Sequence, residues 1–143
     1  MSSEFLPGPG GIGSHAFHVA SALRKRGRNI TVCTISDYAS EDEEKAFDMR
    51  CAFKVFRFKR LGNFLFTWLH RIKVIHNYCI KNQITHVFSS GRFPIWTIPF
   101  LKVKGIPNVI AILHGSEVGR GFWSKLLFFC LNRADYIITV SKF

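Results

Sequence analysis

The chain has 143 residues, 48% of them apolar, enough for one domain with a core and short for two. Its formal charge of +11 resides in one stretch: no Asp or Glu occurs between Asp48 and Glu117, an interval that holds Arg50, Lys54, Arg57, Lys59, Arg60, Arg71, Lys73, Lys81, Arg92, Lys102 and Lys104. These bounds exclude a disordered chain, and no apolar run approaches the roughly 18 residues of a membrane span. Cys33, Cys51, Cys79 and Cys130 are scattered among apolar neighbours with no C-x-x-C pair, which argues for reduced thiols in the cytoplasm and against a disulfide framework or a zinc site. Met1-Ser-Ser-Glu-Phe5 has neither the basic start nor the apolar segment of a signal peptide.

In chain order, the first signal is Pro7-Gly-Pro-Gly-Gly-Ile-Gly13, a glycine turn that runs into a predicted helix over 14–26. Such a turn offers backbone N–H groups at a helix N-terminus, where an anion is favoured. Ser14 is the expected cap, Ala16, Val19, Ala20 and Leu23 the buried stripe, and Gly27 the stop. The G-x-G-x-x-G dinucleotide fingerprint is absent, and Asp37 lies too far along to serve as its ribose-binding acid. That comparison disfavours a nicotinamide site and leaves two readings of the turn, a phosphate-binding site and a plain tight connection.

Alternation predicts strands at 29–34 and 53–58, the second with a basic face, separated by an acidic loop near 37–48. A helix over 62–81 is expected to turn Leu61, Leu65, Trp68, Leu69, Ile72 and Cys79 to a core and Arg71, Lys73 and Lys81 to water. Phe64, Phe66, Ile75 and Tyr78 add apolar bulk beyond the needs of such a helix, which marks either an interfacial patch or ordinary core beneath a solvated basic face. Strands at 84–88, 108–113 and 136–140, a short helix near 93–103 and a helix at 121–132 complete the order. Strands alternating with helices imply an α/β fold, Rossmann-like and doubly wound, with a mostly parallel sheet, helices on both faces and ligands at the strands' carboxyl ends. The apolar late strands suit a buried sheet. Residues 1–6 are too few and too polar for the first strand such a fold begins with, and the chain stops at Phe143 directly after a strand. The expectation is a single domain, residues 1–143, cut at both ends.

Three islands, Pro7-Gly-Pro-Gly-Gly-Ile-Gly-Ser-His15 with Leu23-Arg-Lys-Arg-Gly-Arg-Asn-Ile-Thr-Val32, Leu113-His-Gly-Ser-Glu117, and Ala134-Asp-Tyr-Ile-Ile-Thr-Val-Ser141, stand in an order and spacing that resemble the N-terminal domain of retaining glycosyltransferases of family 4, which have the GT-B fold. The resemblance covers nearly the whole chain. It implies transfer of a sugar from a nucleotide-sugar donor to a glycan or lipid-linked acceptor, with retention at the anomeric carbon. It also implies no metal ion and no cofactor apart from the nucleotide-sugar substrate. In that family a C-terminal domain, absent from this sequence, holds most of the nucleotide and carries an acidic E-x7-E motif. The isolated chain is therefore expected to be inactive.

Carried over position by position, Gly10, Gly11 and Gly13 match the glycine loop against the donor diphosphate and the acceptor. His114 matches the histidine that reaches the transferred sugar, and is the expected catalytic residue. His15, Arg92, Glu117 and Ser141 are candidate acceptor contacts. Plainer alternatives are a structural loop role for His114, a surface role for His15, an N-terminal cap for Glu117 and a cap for a following helix at Ser141. Arg92 follows a strand with Ser89, Ser90 and Gly91, where a ligand is expected. The basic aromatic stretch adds an anionic membrane as a candidate partner. Two other readings stay open: a non-enzymatic basic module that binds an anionic membrane or nucleic acid, and a gene remnant without function. The chain has no helix-turn-helix spacing, zinc ligands or RNA-recognition aromatics, which disfavours nucleic acid.

Overall fold

The computed structural model describes residues 1–35, 39–59, 62–103, 105–118 and 121–140. They form two compact units, residues 2–62 and Met1 with residues 63–143. Among the described residues, strands and helices alternate as the sequence predicts, and every paired strand is parallel.

The first unit contains helix α1 (Gly11–Lys25), strand β1 (Thr31–Ile35), helix α2 (Glu41–Asp48) and strand β2 (Lys54–Phe58). β1 and β2 pair in parallel from Thr31↔Lys54 to Ile35↔Phe58. Phe5, Ala20, Val32 and Phe53 form its buried centre, with Phe17 and Phe47 packed against them. The rings of Phe5 and Phe47 meet edge-on at 6.2 Å. No strand precedes α1 among the described residues. Ser2 makes a single bridge there, its N–H donating to the Cys33 carbonyl at 2.9 Å.

Two expectations fail in this unit. The helix begins at Gly11, so Ser14 lies inside it instead of capping it, and its hydroxyl donates to the Gly10 carbonyl at 3.2 Å. The acidic stretch contains a helix, α2, where a loop was expected. Ser40 and Glu43 make a reciprocal capping box, and Glu41, Asp42, Glu43 and Glu44 all sit in the first turn, where the helix dipole favours negative charge. Gly27 ends α1 as predicted: it follows the cap residue Arg26 with φ of 76°, and its N–H donates to the Arg24 carbonyl.

The second unit contains helix α3 (Phe64–Lys81), strand β3 (His86–Ser90), helices α4 (Arg92–Trp96) and α5 (Ile98–Val103), strand β4 (Asn108–Leu113), helix α6 (Phe122–Leu131) and strand β5 (Tyr136–Thr139). The sheet order is β3-β4-β5, all parallel. β4 is the central strand, and Val109, Ile110, Ala111, Ile112 and Leu113 are all buried. Met1 belongs to this unit: its ammonium group donates to the Phe88 carbonyl, and its carbonyl accepts the Ser90 N–H at 3.0 Å. Trp96 of α4 and Trp123 of α6 stack with ring centroids 5.1 Å apart.

Here α3 is rotated from its predicted phase. Thr67, Arg71, Ile75 and Cys79, a row at i+4 spacing, are buried, while Leu65 and Leu69 are exposed. Arg71 points inward with its guanidinium over the Phe93 ring at 5.4 Å, a cation–π contact that an apolar pattern does not reveal. Leu61 lies outside the described residues. β5 also departs from expectation. It is an edge strand, and Tyr136, Ile137 and Ile138 are exposed instead of buried. The predicted single helix near 93–103 is two, divided at Thr97, whose N–H and hydroxyl both donate to the Pro94 carbonyl.

Asp135 fastens β4. Its carboxylate accepts the Val109 N–H at 2.7 Å and the Lys102 ammonium at 2.8 and 3.0 Å, and its own N–H donates to the Val109 carbonyl. The Lys102 hydrogen bond, aided by the Val109 N–H, holds its carboxyl below the usual value. A lowered folded pKa means that the stabilisation is complete above about pH 5 and is lost as pH falls through the folded value. Asp135→Ala is expected to cost about 1–2 kcal/mol at neutral pH. Urea unfolding at a series of pH values should show a gap from wild type that closes in acid, and a gap constant across the series would refute this account.

Candidate functional site

In the first unit the site is the N-terminus of α1. Gly10 is the N-cap residue, with φ of 129°, and no side chain caps the helix. No acidic residue lies in the first turn. The leading N–H groups of a 15-residue helix thus keep the positive end of the dipole available to an anion. Gly13 is buried against the chain before the turn: a Cβ there would lie 3.1 Å from the backbone N and Cα of Phe5. Gly11 differs, since a Cβ there would meet nothing within 4 Å. The Glu4 carboxylate lies against Gly10, where an added methyl group would overlap it. An anion arriving at this turn must displace Glu4 or share the position with it. His15 is half-buried on α1, one turn further along.

The turn is braced from β2. Arg57 donates from Nε and Nη2 to the two oxygens of Asp48, both at 2.8 Å, and from Nη1 to Glu44 Oε1 at 3.3 Å. Its Nη2 also donates to the Leu6 carbonyl, directly before the Pro-Gly run. The sequence reading placed Arg57 on a basic strand face. It is instead a nearly buried cation held by two carboxylates, and only the folding of the acidic stretch as α2 brings those carboxylates to it.

In the second unit the site lies at the carboxyl ends of β3 and β4. Parallel pairing sets Ser90 opposite Ile112, so the residues that follow both strands emerge at the same end of the sheet. His114 is there, its Nε2 at 2.9 Å from the Ser90 hydroxyl. A hydroxyl can donate or accept, so Ser90 can hold either neutral tautomer of the ring. Glu117 is buried and folds back on the same turn: its Oε2 accepts the His114 N–H at 3.0 Å. Glu117 Oε1 is buried and has no hydrogen-bond partner among the described residues. Arg92 is exposed and reaches over this turn, Nη2 donating to the Ser116 carbonyl at 3.2 Å. His114, Arg92 and Glu117 are therefore brought together, with Ser90 as the member whose partner the sequence did not reveal. Gly10, Gly11, Gly13 and His15 belong to the other unit. Ser141 lies outside the described residues.

Three of the four cysteines offer no ready thiolate. Burial pushes the Cys130 thiol up to about 11 and raises Cys33 and Cys51 as well, which keeps all three protonated at neutral pH. Among the described residues no group of three His, Cys, Asp or Glu side chains could hold a metal ion.

The first unit thus offers an open helix N-terminus, and the second a histidine turn at its strand ends. The family model for glycosyltransferase family 4 matches residues 9–143, and the chain belongs to that family. Its general activity class is accordingly sugar transfer to an acceptor. A comparison with curated proteins found no match.

Proposed function

We propose that this chain is the acceptor-side domain of a retaining glycosyltransferase that moves a sugar from a nucleotide-sugar to a glycan or lipid-linked acceptor. The observation that carries the reading is the uncapped N-terminus of α1, inside the matched family region and without an acidic residue in its first turn. In the reaction, the bond from the anomeric carbon to the diphosphate oxygen breaks and its electron pair leaves with the nucleoside diphosphate. The acceptor oxygen takes its place on the same face and gives up its proton to the departing diphosphate oxygen. The N–H groups of Gly11, Ile12 and Gly13 are placed to stabilise the charge that grows on the leaving diphosphate. His114, steadied by Ser90, donates a hydrogen bond to a hydroxyl of the transferred sugar. Arg92 is the exposed candidate acceptor contact beside that turn, and Glu117, His15 and Ser141 are acceptor contacts by the resemblance alone. The donor is a substrate, and the reading invokes no cofactor or metal. It places the protein in the cytoplasm, peripheral on the cytoplasmic face of a membrane, with an anionic lipid surface as a further partner and a nucleotide-binding domain to complete the enzyme.

The test is a titration of the 143-residue protein with a panel of nucleoside diphosphates, followed by amide chemical shifts. Shifts centred on Gly10, Gly11 and Gly13 are expected. Glu4→Gln removes the competing carboxylate and should tighten binding about fivefold, the equivalent of roughly 1 kcal/mol for one partly screened charge. Shifts that spare the turn, or a Glu4→Gln variant that binds no better, would remove the diphosphate from this position.

A further inference from the structure

The rotation of α3 leaves an apolar face in water. Leu65 is 62% exposed, Phe66 75% and Leu69 56%. At 100° per residue these three, together with Lys73, fall within an arc of about 100°, opposite the buried row of Thr67, Arg71, Ile75 and Cys79. His70 and Lys81 are exposed beside the arc. The helix carries no acidic residue, and neither does the surrounding chain from Met49 to Ser116.

We infer that this face of α3 is a membrane-docking surface that lies in the headgroup layer of an anionic bilayer, an inference resting on the membrane-peripheral reading proposed above. Large apolar side chains flanked by lysine suit an interface, because the rings and branched chains enter the acyl boundary while the ammonium groups stay among lipid phosphates. A soluble protein partner would cover such a face too, but the absence of acid along the helix favours a negatively charged surface over a mixed one. No helix of the described residues is long and apolar enough to cross a membrane, so α3 would lie in the plane of the bilayer.

Co-sedimentation with vesicles of phosphatidylcholine and phosphatidylglycerol, against phosphatidylcholine alone, tests it. The intact protein should bind the anionic vesicles at low salt and release as salt rises. The triple variant Leu65→Ser, Phe66→Ser, Leu69→Ser changes mostly exposed side chains, so it should stay cooperatively folded, with its unfolding temperature lower by only a few degrees. Its partitioning should fall by about tenfold or more, in line with the apolar area withdrawn from the interface. Equal binding by wild type and variant would overturn the assignment to α3 while leaving a membrane partner in place. No binding by the wild type at low salt would overturn both. A wild-type dimer in sedimentation velocity that the variant abolishes, with no vesicle binding by either, would make the face a contact between copies.

Discussion

Arg57→Ala is expected to destabilise the unit formed by residues 2–62 by about 3–5 kcal/mol, the range for removing one partner of a buried ion pair. The size follows from what the substitution leaves behind. The Arg57 side chain is 10% exposed and those of Glu44 and Asp48 are 6% and 22% exposed, so water reaches the abandoned carboxylates poorly. The Leu6 carbonyl loses a donor at the same time. Arg57→Lys keeps the charge but cannot reproduce the two parallel bonds to Asp48, and should recover less than half of the loss. Denaturant unfolding of the full chain reads both variants. A double-mutant cycle with Asp48→Ala should show a coupling of at least about 1 kcal/mol. A loss below about 1 kcal/mol for Arg57→Ala would mean that the pair behaves as a solvated surface bridge. Because the same guanidinium binds the chain just before the glycine turn, the variant should also raise hydrogen exchange at Gly8 and Gly10, which ties the stability of β2 to the shape of the candidate anion site.

The order of elements was legible because each strand and most helices carry their own period, and parallel pairing followed from their alternation, although the described strands form two sheets, β1-β2 and β3-β4-β5, where one was expected. What a period cannot show is which side of an element finds a partner. α3 has apolar residues around most of its circumference, so its phase was set by packing: Arg71 found an aromatic ring, and Leu65 and Leu69 were left outside. β5 reads like β4, but an apolar run does not distinguish a central strand from an edge. The acidic stretch folds as a helix although it lacks an apolar period, and Ser40 and Glu43 at capping-box spacing are its one sequence signal. At the site, the place of His114 was readable from the strand before it. Its bond to Ser90 was not, since 24 residues separate the two and only the register of β3 on β4 joins them.

The glycine turn gives the sharpest contrast between neighbouring positions. Gly13→Val is expected to cost about 2–4 kcal/mol, while Gly11→Ala should leave stability unchanged or raise it by up to about 1 kcal/mol. At Gly13 even a Cβ would stand 3.1 Å from the Phe5 backbone and 3.3 Å from the Glu4 carbonyl carbon. Backbone atoms cannot swing aside as a flexible side chain would. Either α1 must withdraw from the chain that precedes it, or Phe5 must leave the centre it shares with Ala20, Val32 and Phe53. Both routes damage the apolar cluster around Phe5. At Gly11 the added methyl group faces open space and replaces the most flexible residue in a helix with the best helix former. The pair therefore separates two settings of glycine that a run of them conceals: close packing of backbone on backbone at Gly13, and open space at Gly11, which the proposed function gives to a ligand. Thermal unfolding measures the first. For the second, Gly11→Ala should weaken nucleoside diphosphate binding with the fold intact, because its methyl group occupies the space the phosphates need. Unaltered binding by a well-folded Gly11→Ala protein would place the anion away from this turn.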